Sequence, residues 1–88
     1  MWKVTIKRKL ERKIAGYPDV IQNLYFALKQ DLTSDGPVQT SWPNYSKLGE
    51  NRHHCHLTHH YVACWIVLSD TEMEMEVYYV GTRENAPY

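Results

Sequence analysis

Residues 52–68, which read RHHCHLTHHYVACWIVL, contain all five histidines and both cysteines of the chain. The second half of this stretch, residues 61–68, is the longest apolar run in the protein. A short polar connection separates this run from the histidine-rich segment at residues 52–57, which precedes it. Two such segments in succession predict a β-hairpin. We therefore expect this hairpin to form the centre of the fold.

The pairing register of the hairpin decides which of its side chains are buried. Side chains alternate between the two faces of a strand, so we expect the register that gathers apolar residues on one face. That register sets Cys55 opposite Cys64 and Leu57 opposite Val62. The other face is expected to contain the functional site, with His54 opposite Trp65 and with His56 and Arg52 beside them.

The composition is that of a small globular domain. With 88 residues, of which 43% are hydrophobic and 23% charged, the chain is expected to form a single domain over residues 1–88. No run is apolar enough for a membrane helix and no signal-peptide pattern is present, so we expect a cytoplasmic protein with no membrane contact. The two cysteines are expected to be reduced thiols packed as small hydrophobic residues.

Basic residues are concentrated at the start of the chain. The formal net charge is zero, but residues 1–16 contain six lysines and arginines against Glu11 alone. This distribution is compatible with a polyanion bound at one end of the molecule, and equally with a solvated helix surface.

Periodicity predicts a strand and two helices before the hairpin. Residues 2–7 alternate between apolar and polar, as in a strand with one buried face. Residues 8–15 suit a short amphipathic helix that ends at Gly16. A second helix is expected to begin near Pro18 and to end in the breaker cluster at residues 33–37.

A loop and a last strand complete the expected chain order. Residues 38–49 are predicted to be a loop, and residues 73–82 a strand whose odd-numbered side chains, up to Tyr79, extend the core face. This arrangement would place Glu76 beside Trp65 on the open face.

Several motifs carry a resemblance to a known family. The segments WPNYSKLG at residues 42–49, HCHL at 54–57, YVACW at 61–65 and GTRENAPY at 81–88 resemble the RelE/HigB/ParE superfamily, toxins of bacterial type II toxin–antitoxin pairs. The resemblance implies a RelE-like α+β fold, β-α-α-β-β-β, with two helices packed on one face of a small antiparallel sheet.

The resemblance also implies a function. One branch of the superfamily consists of mRNA interferases, which are ribosome-dependent endoribonucleases that inhibit translation. In the ParE branch the toxin instead binds and inhibits a protein target such as gyrase. The implied partners are a cognate antitoxin protein, mRNA and the ribosome, and neither a cofactor nor a metal is implied.

Candidate site residues follow from the positions that match the family. RNA is cut without a metal when its 2′-hydroxyl attacks the neighbouring phosphorus, which requires a proton acceptor, a proton donor and stabilisation of the phosphoryl charge. Histidine suits either proton role near neutral pH, and arginine can hold phosphoryl oxygens. The expected catalytic residues are His54 or His56 as acid or base, Arg83 as charge stabiliser and Tyr88 as base platform or proton carrier. The expected RNA-binding residues are Lys47, Arg52 and Trp65.

Two other interpretations of these residues stay open. The histidines could form only a polar surface of the sheet. Histidine and cysteine also suit zinc, but the expected register puts His54 and His56 on one face and Cys55 and Cys64 on the other, so that no compact ligand set is expected.

Overall fold

The computed structural model describes all 88 residues and shows two helices packed against a five-stranded sheet. In chain order the elements are β1 (Lys3–Ile6), α1 (Arg8–Ala15), α2 (Asp19–Asp35), β2 (Ser46–Lys47), β3 (Arg52–His56), β4 (Tyr61–Ser69), β5 (Glu74–Thr82) and a short 3-10 helix (Arg83–Asn85). The strands lie in the order β1-β5-β4-β3-β2. β1 runs parallel to β5, and every other neighbouring pair is antiparallel. The predicted α+β order is confirmed, in a sheet that is mixed and has one strand more than expected.

Both helices form where the periodicity predicted them. α1 buries Ile14, and its end at Gly16 is closed by two backbone hydrogen bonds, from the N–H of Gly16 to the carbonyl of Lys13 and from the N–H of Tyr17 to the carbonyl of Ile14. α2 ends at Gly36, where φ is 92° and a Cβ would lie 2.9 Å from Nε1 of Trp2, so only glycine fits. Neither helix is long and apolar enough to cross a membrane. The buried stripe of α2 that faces the sheet is Ile21, Tyr25, Leu28 and Leu32.

The segment between α2 and β3 was expected to be a loop, but it contains the edge strand β2. Two side chains fasten the rest of the segment to α2. Nε1 of Trp42 donates a hydrogen bond to Oδ2 of Asp31 at 2.9 Å, and Nε2 of Gln39 donates to the carbonyl of Asp31 at 3.1 Å. These bonds hold the segment against the body of the domain, so that β2 can pair with β3.

The pairing of β3 with β4 differs by one residue from the predicted register. The structure pairs Cys55 with Ala63 and His54 with Cys64, so the prediction of Cys55 opposite Cys64 and His54 opposite Trp65 was wrong. The expectation assumed that only one face of β4 is buried. A strand buried on both faces has no apolar alternation, so its sequence does not decide which side chains face the core. The fully buried residues of β4 lie on both faces and are Val62, Ala63, Cys64 and Trp65.

A three-residue loop, residues 58–60, is the local cause of the observed register. The hydroxyl of Thr58 accepts hydrogen bonds from the N–H of Tyr61 at 3.2 Å and of His60 at 3.3 Å. The N–H of Leu57 donates to the carbonyl of Tyr61 at 2.8 Å. Because loop length fixes the register of a hairpin, the predicted pairing would have required an even number of loop residues, two or four.

β5 contains a bulge opposite Cys64. Tyr79 pairs with Cys64, while Val77 pairs with the next residue of β4, so Tyr78 has no partner of its own. Val77 and Val80 both pack in the core. Tyr78 and Tyr79 therefore both lie on the sheet face away from the helices, which we call the open face. The prediction that Tyr79 extends the core face was wrong for this reason.

Trp65 belongs to the core and not to the open face. Its side chain is fully buried, and its Nε1 donates a hydrogen bond to the carbonyl of Pro37 at 3.0 Å. His53 stacks on Trp65 with ring centroids 6.0 Å apart, and Tyr45 stacks on His53 at 5.9 Å. Tyr45 Oη and His53 Nδ1 lie 2.7 Å apart. This aromatic stack joins the segment before β2 to the centre of the sheet.

Two tyrosine hydroxyls give a stability prediction. The hydroxyl of Tyr25 is buried without a hydrogen-bond partner, whereas that of Tyr17 donates to the carbonyl of Val80 at 2.8 Å. We expect Tyr25→Phe to raise the free energy of unfolding by about 1 kcal/mol and Tyr17→Phe to lower it by about 1 kcal/mol. Urea unfolding of both variants measures this. Equal destabilisation by the two changes would contradict the assignment.

His53 gives a pH prediction. Burial, and then the charge of Lys47, lower the pKa of His53 from its ordinary 6.5. Below that pH the unfolded chain binds the proton more readily than the folded protein does. The free energy of unfolding should therefore fall as the pH drops from 6.5 toward the lowered pKa. In the double variant Tyr45→Phe/His53→Phe this fall should be smaller, as measured by urea unfolding at about pH 7 and about pH 5. An unchanged fall would contradict the prediction.

Candidate functional site

A group of polar side chains lies together on the open face, and we call it the histidine cluster: His54, His56, Arg83 and Tyr88. Cys55, which lies between the two histidines on β3, is fully buried in the core. Alternation along the strand therefore turns His54 and His56 away from the helices, as the sequence analysis expected. The rings of His54 and His56 are 5.9 Å apart, and the rings of His54 and Tyr88 are 4.7 Å apart.

Arg83 reaches the cluster because β5 returns to the β3–β4 loop. Its N–H donates a hydrogen bond to the carbonyl of His60 at 2.8 Å. The guanidinium is close enough to act on the protonation of both His56 and Tyr88. The arginine is exposed, so its side chain is available to a ligand on this face.

The surroundings of the cluster favour one proton acceptor and one proton donor. Burial lowers the pKa of His56, and the neighbouring His54, Arg83 and His59 lower it further. Its imidazole is therefore neutral near pH 7 and can accept a proton. Burial raises the pKa of Tyr88, so its phenol keeps its proton and can donate a hydrogen bond.

His54 is held by a residue that sequence reasoning missed. Ser46 Oγ lies 3.0 Å from Nδ1 of His54, because β2 pairs with β3 at this position. The contact of this serine with His54 follows only from the pairing of β2 with β3. It could not be predicted, because a strand of two residues is too short to show periodicity in the sequence. The predicted row of His54, Trp65 and Glu76 was wrong, because His54 pairs with Cys64 and Glu76 pairs with Ile66.

A groove of about 500 Å³ on the open face is lined by aromatic and basic side chains. The guanidinium carbon of Arg52 lies 5.9 Å from the ring centroid of Tyr78, within the range of a cation–π contact. Aromatic and guanidinium planes are the surfaces on which unpaired nucleic-acid bases stack. The residues that line this groove are Arg52, Ile66, Tyr78, Tyr79 and Pro87.

The structure brings together most of the residues that the sequence analysis selected. The four residues of the histidine cluster share the open face with Arg52. Lys47 is exposed at the sheet edge, but it pairs with His53 and so belongs to the other face. Trp65 is buried in the core, so the expectation that it shares the open face was wrong.

The two cysteines lie on opposite faces of the sheet, and neither is a member of the histidine cluster. Both are free thiols, Cys55 on the core face and Cys64 opposite His54 on the open face. Burial raises the pKa of Cys55 to about 12 and that of Cys64 to about 11, so both stay protonated. No group of three or more histidine, cysteine or acidic side chains is arranged to hold a metal ion.

Comparison with solved structures shows what this fold is similar to. A chain of the archaeal RelE–RelB complex from Pyrococcus horikoshii OT3 aligns with a TM-score of 0.75 and 10% identity, over 97% of this chain and 98% of that chain. A chain of the YoeB–YefM complex from Staphylococcus aureus aligns with a TM-score of 0.71 and 9% identity, over 94% and 98%. A metal-bound toxin from Helicobacter pylori gives 0.65 and 18%, over 96% and 97%.

The protein therefore has a RelE-like α+β fold. No protein-family model matches the sequence, and no curated protein matches it. With identities between 9% and 18%, the likeness is one of fold. The resemblance inferred from the sequence motifs is thus confirmed in the arrangement of helices and strands.

Proposed function

We propose that the protein is the toxin of a type II toxin–antitoxin pair and acts in the cytoplasm as an mRNA interferase, a ribosome-dependent endoribonuclease that inhibits translation. The histidine cluster is the observation that carries this proposal. It combines a neutral imidazole, a protonated phenol and a guanidinium, which are the groups that cleavage without a metal requires.

The proposed reaction is an internal attack by the RNA on its own backbone. His56 accepts the proton of a 2′-hydroxyl, and the 2′-oxygen forms a bond to the adjacent phosphorus. Arg83 holds the non-bridging phosphoryl oxygens, where negative charge builds up. The bond from phosphorus to the 5′-oxygen breaks, and Tyr88 gives its proton to that oxygen. Solvent then carries the proton from His56 back to Tyr88, leaving a 2′,3′-cyclic phosphate and a 5′-hydroxyl.

His54 has a positioning role in this scheme. Ser46 fixes its ring through Nδ1, and its ring lies against that of Tyr88 at 4.7 Å. His54 is only 8% exposed, so its ring supports Tyr88 from beneath while His56, which is more exposed, meets the RNA.

The substrate is single-stranded RNA, because only an unpaired base can enter the aromatic groove beside the cluster. Tyr78 offers the stacking surface, and Arg52 lies over its ring, ready to hold a flanking phosphate. We further propose that a cognate antitoxin protein neutralises this activity, since two of the structurally similar proteins come from RelE–RelB and YoeB–YefM complexes.

Cleavage should depend on His56 and not on a histidine outside the cluster. We expect His56→Ala to slow cleavage of mRNA on translating ribosomes by about 10²- to 10⁴-fold, the usual loss of a general base. The matched control is His60→Ala, since His60 is exposed in the β3–β4 loop and meets Arg83 only through its backbone. Equal cleavage by both variants would contradict the proposed base. Growth arrest by a wild-type protein that cleaves no RNA would favour a ParE-like protein target instead.

The pH dependence of cleavage should report the environment of His56. A base works only when unprotonated, so the rate should fall as the pH drops below the pKa of His56, which lies below the ordinary 6.5. Removing the positive charge with Arg83→Gln should slow the reaction and also move this acidic limb to higher pH. Rate profiles of the two proteins measure both effects. If the acidic limb of the rate profile lies at the same pH in both proteins, Arg83 does not affect the pKa of His56.

A further inference from the structure

A second and larger groove lies between α1 and the outer edge of β5. β1 pairs only with the first part of β5, up to Val77, so that α1 and not a strand lies beside the rest of β5. The groove has a volume of about 700 Å³. We call it the lysine groove. It is lined on one side by Lys7, Lys9 and Lys13, and on the other by residues that include Glu76, Tyr79, Thr82 and Asn85.

The positive charges of the lysine groove are not neutralised within the protein. The single salt bridge of the structure joins Lys3 to Glu74, and neither residue lines the groove. Lys9 and Lys13 are four residues apart on α1, so they lie on the same side of the helix and repel each other. Glu76 is the one carboxylate in the lining. An anionic ligand would remove this repulsion.

The lysine groove is continuous with the proposed site. Tyr78 and Tyr79 line both this groove and the smaller groove that contains Arg52. The bulge in β5 makes this possible, because it places two successive tyrosines on the open face. A strand of nucleic acid that leaves the histidine cluster can therefore cross the tyrosines and reach the lysines without a break in the surface.

We propose that the lysine groove binds the sugar-phosphate backbone of the RNA strand that is cut at the histidine cluster, several nucleotides from the cut. The proposal rests on the proposed function, since it names a second contact of the same substrate. A basic track with aromatic side chains along it is the usual design of a site for single-stranded nucleic acid. Thr82 and Asn85 add a hydroxyl and an amide, which commonly contact phosphate oxygens.

Binding of an uncleavable RNA tests the proposal separately from cleavage. The probes are 2′-O-methyl RNAs of about three and about twelve nucleotides, labelled for fluorescence anisotropy and measured between about 50 and about 200 mM salt. Lys9→Ala/Lys13→Ala removes two charges from the lysine groove. Arg8→Ala/Arg12→Ala is the matched control, because it removes two charges from the same helix at exposed positions outside the groove lining. Alanine favours helix in both variants.

The expected result is specific to the lysine variant and to the long RNA. Lys9→Ala/Lys13→Ala should weaken binding of the long RNA on the order of tenfold, and should reduce the slope of log Kd against log salt by about 1.4, or about 0.7 for each lost phosphate contact. Binding of the short RNA should change little, because it fills only the histidine cluster. The arginine variant should resemble wild type with both RNAs.

Three results would overturn the proposal. One is an equal loss in the lysine and arginine variants, and another is an equal loss for short and long RNA. The third is tight binding of a poly-glutamate peptide, equal to that of the long RNA in the wild-type protein and absent in the lysine variant. That result would assign the groove to an acidic protein segment. Failure of the proposed function is a separate observation, namely wild-type protein that leaves ordinary mRNA uncut.

Discussion

The burial of Cys55 is the constraint on which the functional arrangement depends. It lies between His54 and His56 on a strand of five residues, and its side chain is fully enclosed in the core. Because neighbouring side chains on a strand point to opposite faces, burying Cys55 forces both histidines onto the open face. A chain that turned this strand over would bury two imidazoles next to the helices, where each unpaired nitrogen would cost about 1–3 kcal/mol.

Three other features complete the site around these histidines. The edge strand β2 places Ser46 against His54, and the return of β5 places Arg83 at the loop between β3 and β4. The bulge in β5 turns Tyr78 and Tyr79 toward the open face. Each feature is a product of strand pairing, so the candidate site is a property of the sheet and not of any single segment of sequence.

The sequence predicted the elements better than it predicted their pairing. The two helices and the hairpin follow from local periodicity and from breakers such as Gly16 and Gly36, which act on their own segment. The outward direction of His54 and His56 was also predictable, since the apolar residues Cys55 and Leu57 alternate with them along the sequence.

The register of the sheet could not be predicted, for two physical reasons. β4 is buried on both faces, since Val62 and Cys64 on the open face are as fully buried as Ala63 and Trp65 on the core face. The apolar pattern of its sequence therefore does not show whether Cys64 or Trp65 faces the core. The number of loop residues depends on hydrogen bonds of the Thr58 hydroxyl, and the bulge at Tyr78 depends on packing between strands. Both are tertiary effects. The exclusion of Trp65 from the open face is their direct consequence.

Mapping of transcript ends after a brief pulse of expression tests the central claim most directly. If the histidine cluster cleaves mRNA on the ribosome, new ends should appear inside translated codons within the pulse, with 5′-hydroxyl groups on the downstream fragments. They should be missing after expression of a His56→Ala protein. Growth arrest by the wild-type protein without any new ends inside translated codons would contradict the account.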